Sequence, residues 1–232
     1  MELRAAMRTA AATRAFADRA VPDEVVFGVL DDARFARSGG SRQVWRVVLV
    51  RDPARRRALR DLYLQGWYEY QALKQAGLVA WSPFSDVAKE AAVLEQAAEL
   101  RSAAAQGPGG FAERLDEVPV LLVVLADLRE LAAMDRDSDR YTFVGGATVY
   151  PFAWNVMLAA RDQGLVGVLT TLFSRTEAEA RDVLGAPPEY SVAAAIALGY
   201  PVEEPTEDER AGVAEFTSID ELSGPAFTAP SA

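Results

Sequence analysis

Apolar residues recur along the chain with two periods, and the switches between them mark the elements. Leu3, Ala6, Met7 and Ala10 share a face at i, i+3, i+4 spacing, which predicts a helix over 2–12. Thr13–Phe16 reads as a short extended piece. Val21-Pro22-Asp23 then opens a helix, with Asp23 as N-cap and Val26, Val29, Leu30 and Ala33 facing inward. A β-branched strand is expected over 44–50. Asp52-Pro53 starts the next helix, proline being harmless in a first turn. An alanine-rich helix is predicted over 85–105, and Gln106-Gly107-Pro108-Gly109-Gly110 breaks the chain.

Val118–Ala126 is an unbroken apolar run, the pattern of a central strand buried on both faces. Asp127–Tyr141 is charged and reads as a mobile loop. A helix over 145–162, with Ala147, Phe152, Val156, Ala159 and Ala160 packed inward, stops at Gln163-Gly164. Leu165–Thr171 follows as a strand or tight extended chain. Thr176 and Glu179 have the spacing of a capping box for a short helix. Ser191–Gly199 is the last core strand, and Pro201–Arg210 an acidic arm. With no internal repeat and no clear boundary, the expectation is one α+β domain over 1–222 and a flexible tail over 223–232.

Composition narrows the chemistry. The chain has 232 residues, half of them hydrophobic, which is ample for a core. It has no cysteine and no histidine, which excludes disulfides, thiolate nucleophiles, Cys/His zinc sites and His-based triads. No spaced carboxylate loop of the calcium-binding kind is present. Catalysis would have to come from carboxylates, hydroxyls, backbone dipoles or a borrowed cofactor. A net charge of −10 argues against nucleic acid as a partner. The arginines of 51–60 read as the exposed face of a helix whose Ala58, Leu59 and Leu62 point inward. No apolar run approaches a membrane span, and the N-terminus lacks a signal-peptide core, so the expected location is cytoplasmic, with no membrane partner.

Two stretches carry candidate chemistry. Ser38-Gly39-Gly40-Ser41-Arg42-Gln43-Val44-Trp45 joins a helix to a strand, serving either as a connector or as a loop whose backbone N–H groups approach a ligand. Tyr63, Trp67, Tyr68, Tyr70, Trp81 and Phe84 either pack helices and a lid or dimer surface, or wall in a planar ligand. Trp45, alternating with Val47 and Leu49, reads as core.

In order along the chain, four segments resemble the nitroreductase family of flavin-mononucleotide oxidoreductases. Arg14-Ala15-Phe16 with Val21-Pro22-Asp23 is similar to its N-terminal Arg-x-Phe and helix lead. Ser38, Gly39, Gly40, Gln43 and Trp45 stand where its Ala-Pro-Ser-Gly-Gly-Asn-x-Gln-Pro-Trp motif has them. Leu158-Ala159-Ala160 followed by Gly164–Thr170 resembles its Leu-Ala-Ala…Gly-Leu-Gly segment. Gly199-Tyr200-Pro201 and Arg210–Val213 resemble its closing arm. The resemblance implies a mixed, mainly antiparallel sheet flanked by helices, in an intertwined homodimer with FMN at the interface. Flavin would take electrons from NADH or NADPH and pass them to a nitro-aromatic, quinone or similar planar acceptor, no protein side chain being the catalytic group. The cofactor-binding residues it implies are Arg14, Ser38, Gly39, Gly40, Ser41, Gln43, Gly167, Val168, Leu169 and Arg210. Tyr63, Trp67 and Tyr68 are substrate-binding candidates, with about 63–115 as the variable lid region.

The chain departs from the family where charge matters. Ala10, Ala11 and Ala12 stand where members carry Arg-Arg-Ser or Arg-His-Ser, Ser41 replaces the motif asparagine, and Val166 the second glycine of Gly-Leu-Gly. Each lost charge-assisted hydrogen bond to phosphate removes on the order of 1.5–3 kcal/mol. Two functional classes are therefore open. One is a flavin enzyme whose phosphate ligands have moved to Arg14, Arg42 or Arg210. The other is a degenerate dimer that binds FMN weakly or not at all and acts as a binding or scaffold protein, or takes another ligand in the cleft.

Overall fold

The computed structural model describes residues 1–229 except Pro108, Tyr141 and Asp208. Strands β1 (Trp45–Leu49), β2 (Val120–Asp127), β3 (Val166–Thr170) and β4 (Tyr190–Gly199) form an antiparallel sheet in the order β1-β2-β4-β3. The helices are α1 (Leu3–Thr9), α2 (Asp23–Ala33), α3 (Pro53–Gln75), α4 (Val87–Leu94), α5 (Ala97–Ala104), α6 (Tyr150–Asp162), α7 (Glu177–Leu184) and α8 (Val213–Phe216). None of the described helices is long and apolar enough to cross a membrane.

Strand β2 is buried along its whole length, as its unbroken apolar run requires. Val120, Leu122, Val124 and Ala126 pack with Val26, Val29 and Ala33 of α2 and Phe152, Ala153 and Val156 of α6. Leu121, Val123 and Leu125 pack on the other side with Leu59, Tyr63 and Leu64 of α3, Phe173, and Ala180 of α7. The period-two alternation of one strand thus fills two cores. Trp45 belongs to the first, its ring stacked on Phe152 at 4.7 Å.

Several local expectations give way to tertiary demands. α1 ends at Thr9 because the next residues leave the helix to pair with β3; Leu3 and Met7 are 66% and 58% exposed, so only Ala6 of the expected face is buried. Pro22 occupies the cap of α2, and Asp23 lies inside the helix, paired with Arg51. The alanine-rich stretch divides into α4 and α5. Ala147 is exposed ahead of α6. Thr176 precedes α7 but makes no cap bond, and Glu177 turns to the Val192 N–H. Arg56 and Arg60 are not on an exposed face. Arg56 donates to the carbonyls of Val50, Asp116 and Val118 at 2.8–2.9 Å, and Arg60 to Asp116 at 2.9 Å, tying α3 to the approach to β2. Beyond the arm, Ser218 and Ala226 form an antiparallel bridge; 230–232 of the expected tail lie outside the described residues.

The far end of β2 is fastened by charge. Asp127 accepts from Arg129 Nε at 2.8 Å and Nη2 at 2.7 Å, and Arg129 also donates to the Tyr190 hydroxyl at 3.0 Å. The Arg129 guanidinium holds the Asp127 carboxyl down at about 2. A depressed carboxylate stabilises the fold fully above its unfolded value of about 3.9, and that contribution disappears as pH falls through the folded value. Asp127→Asn is expected to lower the thermal midpoint at pH 7, with the gap closing as pH approaches 2. Circular dichroism melts across that range check this, and a pH-independent gap would contradict it.

Gly167 is a second sensitive point. A Cβ there would strike the Ala197 carbonyl oxygen and lie 2.6 Å from Leu198 Cδ2. Gly167→Ala is expected to cost about 1–3 kcal/mol in urea unfolding, the range for overpacking a close contact.

Candidate functional site

Residues 10–17 form a strap across the edge and end of the sheet. Ala12 bridges Gly167 in parallel, the Thr13 N–H donates to the Gly167 carbonyl at 2.8 Å, Phe16 bridges Pro201, and the Ala17 N–H donates to Tyr200 O at 2.9 Å. The absence of a side chain at Gly167 is demanded by β4, whose Ala197 carbonyl and Leu198 side chain occupy that space, while the strap meets Gly167 through its carbonyl. Val166 and Val168 are buried, so their side chains are absorbed by the interior, and Leu169 is half-buried. Val168 therefore offers a ligand its backbone alone, whereas Leu169 keeps part of its side chain exposed.

The strap presents Arg14, exposed, at a cleft of about 680 Å³ whose lining includes Phe16, Arg19, Arg56, Phe111 and Arg114. Beneath Arg14, burial pushes the Tyr63 phenol above its usual pKa, while Thr170 and the Arg14 charge oppose the shift. Arg56 is committed to the three carbonyls above, and the Arg19 guanidinium lies over the Tyr200 ring at 3.7 Å.

The second candidate segment is a single 3₁₀ turn, Gly39–Ser41. Gly40 takes φ +60, a left-handed conformation that suits glycine. Ser41 at φ +55 and Gln43 at φ +50 do the same without that freedom, at about 1–2 kcal/mol each. The Ser38 hydroxyl oxygen accepts from the Gln43 N–H at 3.0 Å, and Ser38 O from the Ser41 N–H at 3.0 Å. Among the described residues the Gly39 and Gly40 N–H groups have no acceptor. Thr148, just ahead of α6, stands against Gly39, and Arg42 donates to Glu130 O at 3.1 Å. Strain held in non-glycine residues beside two bare donors is the kind of geometry that anion-binding loops use.

One protomer does not bring these segments together. Leu49, Leu122, Ile196 and Leu169 share a row across the sheet; Trp45 lies four positions to one side of it and Gly167 two to the other. At the usual strand geometry the loop before Trp45 and the strap at Gly167 are about 20 Å apart along the strands and about 14 Å across them. They sit at opposite ends and on opposite edges.

The aromatic candidates divide. Tyr63 and Tyr68 are 2% and 5% exposed. Tyr63 packs edge-on to Phe111 and Phe173, and the Tyr68 hydroxyl donates to Glu113 at 2.7 Å, so neither offers an open face to a guest. Trp67 is half-buried, within a row of rings that continues to Tyr70 and Trp81. Arg210 is exposed on the arm, where its neighbour Glu207 pairs with Arg8 at 2.9 Å. Phe111, Arg114 and Thr148 are the site residues that the sequence left unmarked. The spacing of Ala112 and Leu115, both buried, was the available sign of an anchored turn.

Among the described residues no cluster of acidic side chains is placed to hold a metal ion. The chain is 29% identical over 184 residues to a curated "NADH dehydrogenase" of Thermus thermophilus, covering 79% of each. In fold it is similar to a BluB-like flavoprotein from Clostridium difficile (TM-score 0.66, 18% identity, 95% of this chain and 100% of the other). It is likewise similar to an FMN- and NADPH-dependent nitroreductase from Sphigopyxis sp. strain HMH (TM-score 0.61, 20% identity, 96% and 100%). The family model described as "Nitroreductase family" matches residues 7–200, and with the sheet, strap and glycine turn in that span, the chain belongs to the nitroreductase family.

Proposed function

We propose that the protein is an FMN-dependent NAD(P)H oxidoreductase reducing a nitro-aromatic, quinone or similar planar acceptor, and that it works as a homodimer. The observation that carries this reading is the separation of the two ligand-type segments. A pair of bare N–H donors at Gly39–Gly40 and an exposed cation at Arg14 stand too far apart for one protomer to use both on one small molecule. A second copy, related by a two-fold axis, would set the turn of one beside the strap of the other. The exposed apolar residues support such an interface: Leu3 and Met7 on α1, Phe27 on α2, and Tyr150 and Trp154 on α6, in neighbouring helices on one side of the sheet.

FMN fits the groups present. The close approach at Gly167 leaves a strand backbone free of side-chain bulk, Arg14 supplies charge, and the Ser38–Ser41 turn supplies donors. Bound flavin would accept hydride from NADH or NADPH and reduce the acceptor. The protein groups then have separate tasks. Gly39 and Gly40 N–H groups with the Ser38 and Ser41 hydroxyls donate to the polar parts of the cofactor, with Gln43 at their side. Arg14, Arg42 and Arg210 are the candidate cations for its phosphate, and the Gly167–Leu169 backbone its flat support. Trp67 is the retained candidate for stacking on a planar acceptor.

The purified protein should be yellow and elute as a dimer, the colour persisting through gel filtration; a colourless protein that fails to take up added FMN at high micromolar concentration would contradict the reading. Arg14→Ala is expected to weaken FMN binding about tenfold or more, as loss of a charge-assisted contact implies. Fluorescence titration with FMN measures it. The shared site has a sharper test. Gly40→Val and Arg14→Ala protomers should each bind poorly, whereas unfolding and refolding them together should restore about one site in four, because half the dimers are mixed and each mixed dimer rebuilds one intact site. No recovery of flavin in a mixture confirmed to contain mixed dimers would refute shared construction.

A further inference from the structure

We propose that the cleft beside Arg14 selects aromatic substrates that carry a carboxylate, with Arg114 as the residue that pairs with that anion. This rests on the oxidoreductase reading above and adds the substrate class. Four arginines and two carboxylates, Asp18 and Glu117, line the cleft, a positive balance inside a chain of net charge −10. Field lines from such a cleft concentrate anions locally. Two of the arginines are already used, Arg56 by backbone carbonyls and Arg19 by the Tyr200 ring. Arg14 is assigned to the cofactor phosphate above, which leaves Arg114, without a hydrogen-bonded or ion-paired carboxylate among the described residues.

Arg114 is held ready by its neighbours. Ala112 and Leu115 are both 1% exposed and anchor the turn, whose Arg114 N–H donates to Phe111 O at 3.2 Å. Glu113, the adjacent carboxylate, is occupied by the Tyr68 hydroxyl and the Gly110 N–H, both at 2.7 Å. The Arg114 side chain is thus exposed at the cleft on a fixed backbone; its charge is felt by Glu113, but the hydrogen bonds of that carboxylate go to other donors. Phe16 and Phe111, each half-buried, line the same cleft and favour a compact apolar body behind the charge. A planar guanidinium matches a planar carboxylate through two parallel N–H···O bonds, which lysine cannot reproduce. A nucleotide phosphate shares the anionic chemistry, and the test separates the two sources.

The probe is 4-nitrobenzoate, compared with its neutral counterpart 4-nitrobenzamide. The reaction balances as nitrobenzoate plus NADPH plus H⁺ giving nitrosobenzoate, NADP⁺ and water. In the FMN-loaded protein, kcat/KM for the benzoate is expected to exceed that for the benzamide by about 10- to 100-fold, carried by KM, with the preference reduced in Arg114→Lys and lost in Arg114→Ala at unchanged flavin content. Equal use of the two acceptors, or an intact preference in Arg114→Ala, overturns the proposal. A change in KM for NADPH or in flavin content, without a change in the preference, assigns Arg114 to a nucleotide phosphate and also overturns it. If the protein proves colourless, calorimetry with benzoate still decides: binding that Arg114→Ala abolishes supports the anion site although the enzyme reading has failed, and no binding to the unsubstituted protein ends it.

Discussion

The structure depends on a strand that must be hidden on both faces. Eight consecutive buried residues in β2 cannot be satisfied by one layer of helices, so α2 and α6 gather on one side and α3 and α7 on the other. Once both faces are covered, a small molecule has only the ends and edges of the sheet left to approach. The glycine turn lies before the start of the edge strand β1, and the strap follows the opposite edge strand β3. The division of the candidate site into two remote parts is therefore a consequence of core burial, and on the proposed reading a second protomer would reunite them.

The same constraint explains where charge is spent. A central strand must enter and leave the core through polar backbone, and buried carbonyls without donors are costly. Arg56 meets the carbonyls at the entrance to β2, and Asp127 with Arg129 closes the exit. These arginines are structural in the strict sense that their donors are used within the fold.

Much of the fold was legible because β2 and α2 are strongly patterned: nearly every apolar position in 118–126, and Val26, Val29 and Ala33, is buried as its period implies. What was not legible has physical causes. Leu3 and Met7 carry a helical apolar face that none of the described residues covers, so periodicity announced burial without saying against what. Thr176 has the residue type and spacing of a cap, but on a backbone at φ −132 and ψ 40 its hydroxyl makes no cap bond. In the candidate site, Gly39 and Gly40 marked the turn, whereas the left-handed geometry of Ser41 and Gln43 could not be read from residues that normally avoid it. Tyr63 and Tyr68 looked available because aromatic residues serve cores and ligands alike; burial assigns both rings to packing. Arg114 sits in the weakly patterned region where only its buried neighbours reveal an anchored turn.

The alanines at 10–12 then have a narrower meaning. Packing does not demand small residues at every one of these places: Ala12 is exposed and Ala10 and Ala11 are only half-buried. A long basic side chain at position 12 could point to solvent without disturbing the bridge to Gly167, because that bridge is made by backbone. The tight spot nearby is Gly167 against β4, not the alanines of the strap. Arg8, the nearest basic residue on the helical side, is paired with Glu207 and holds the acidic arm. On the proposed reading, the charge that other members place in this run must come from beyond it, from Arg14 on the strap, Arg42 beside the turn or Arg210 on the arm. Of these, Arg14 alone combines a fixed backbone on both sides, at Thr13 and Ala17, with a side chain at the mouth of a cleft, which makes it the position on which cofactor affinity should chiefly depend.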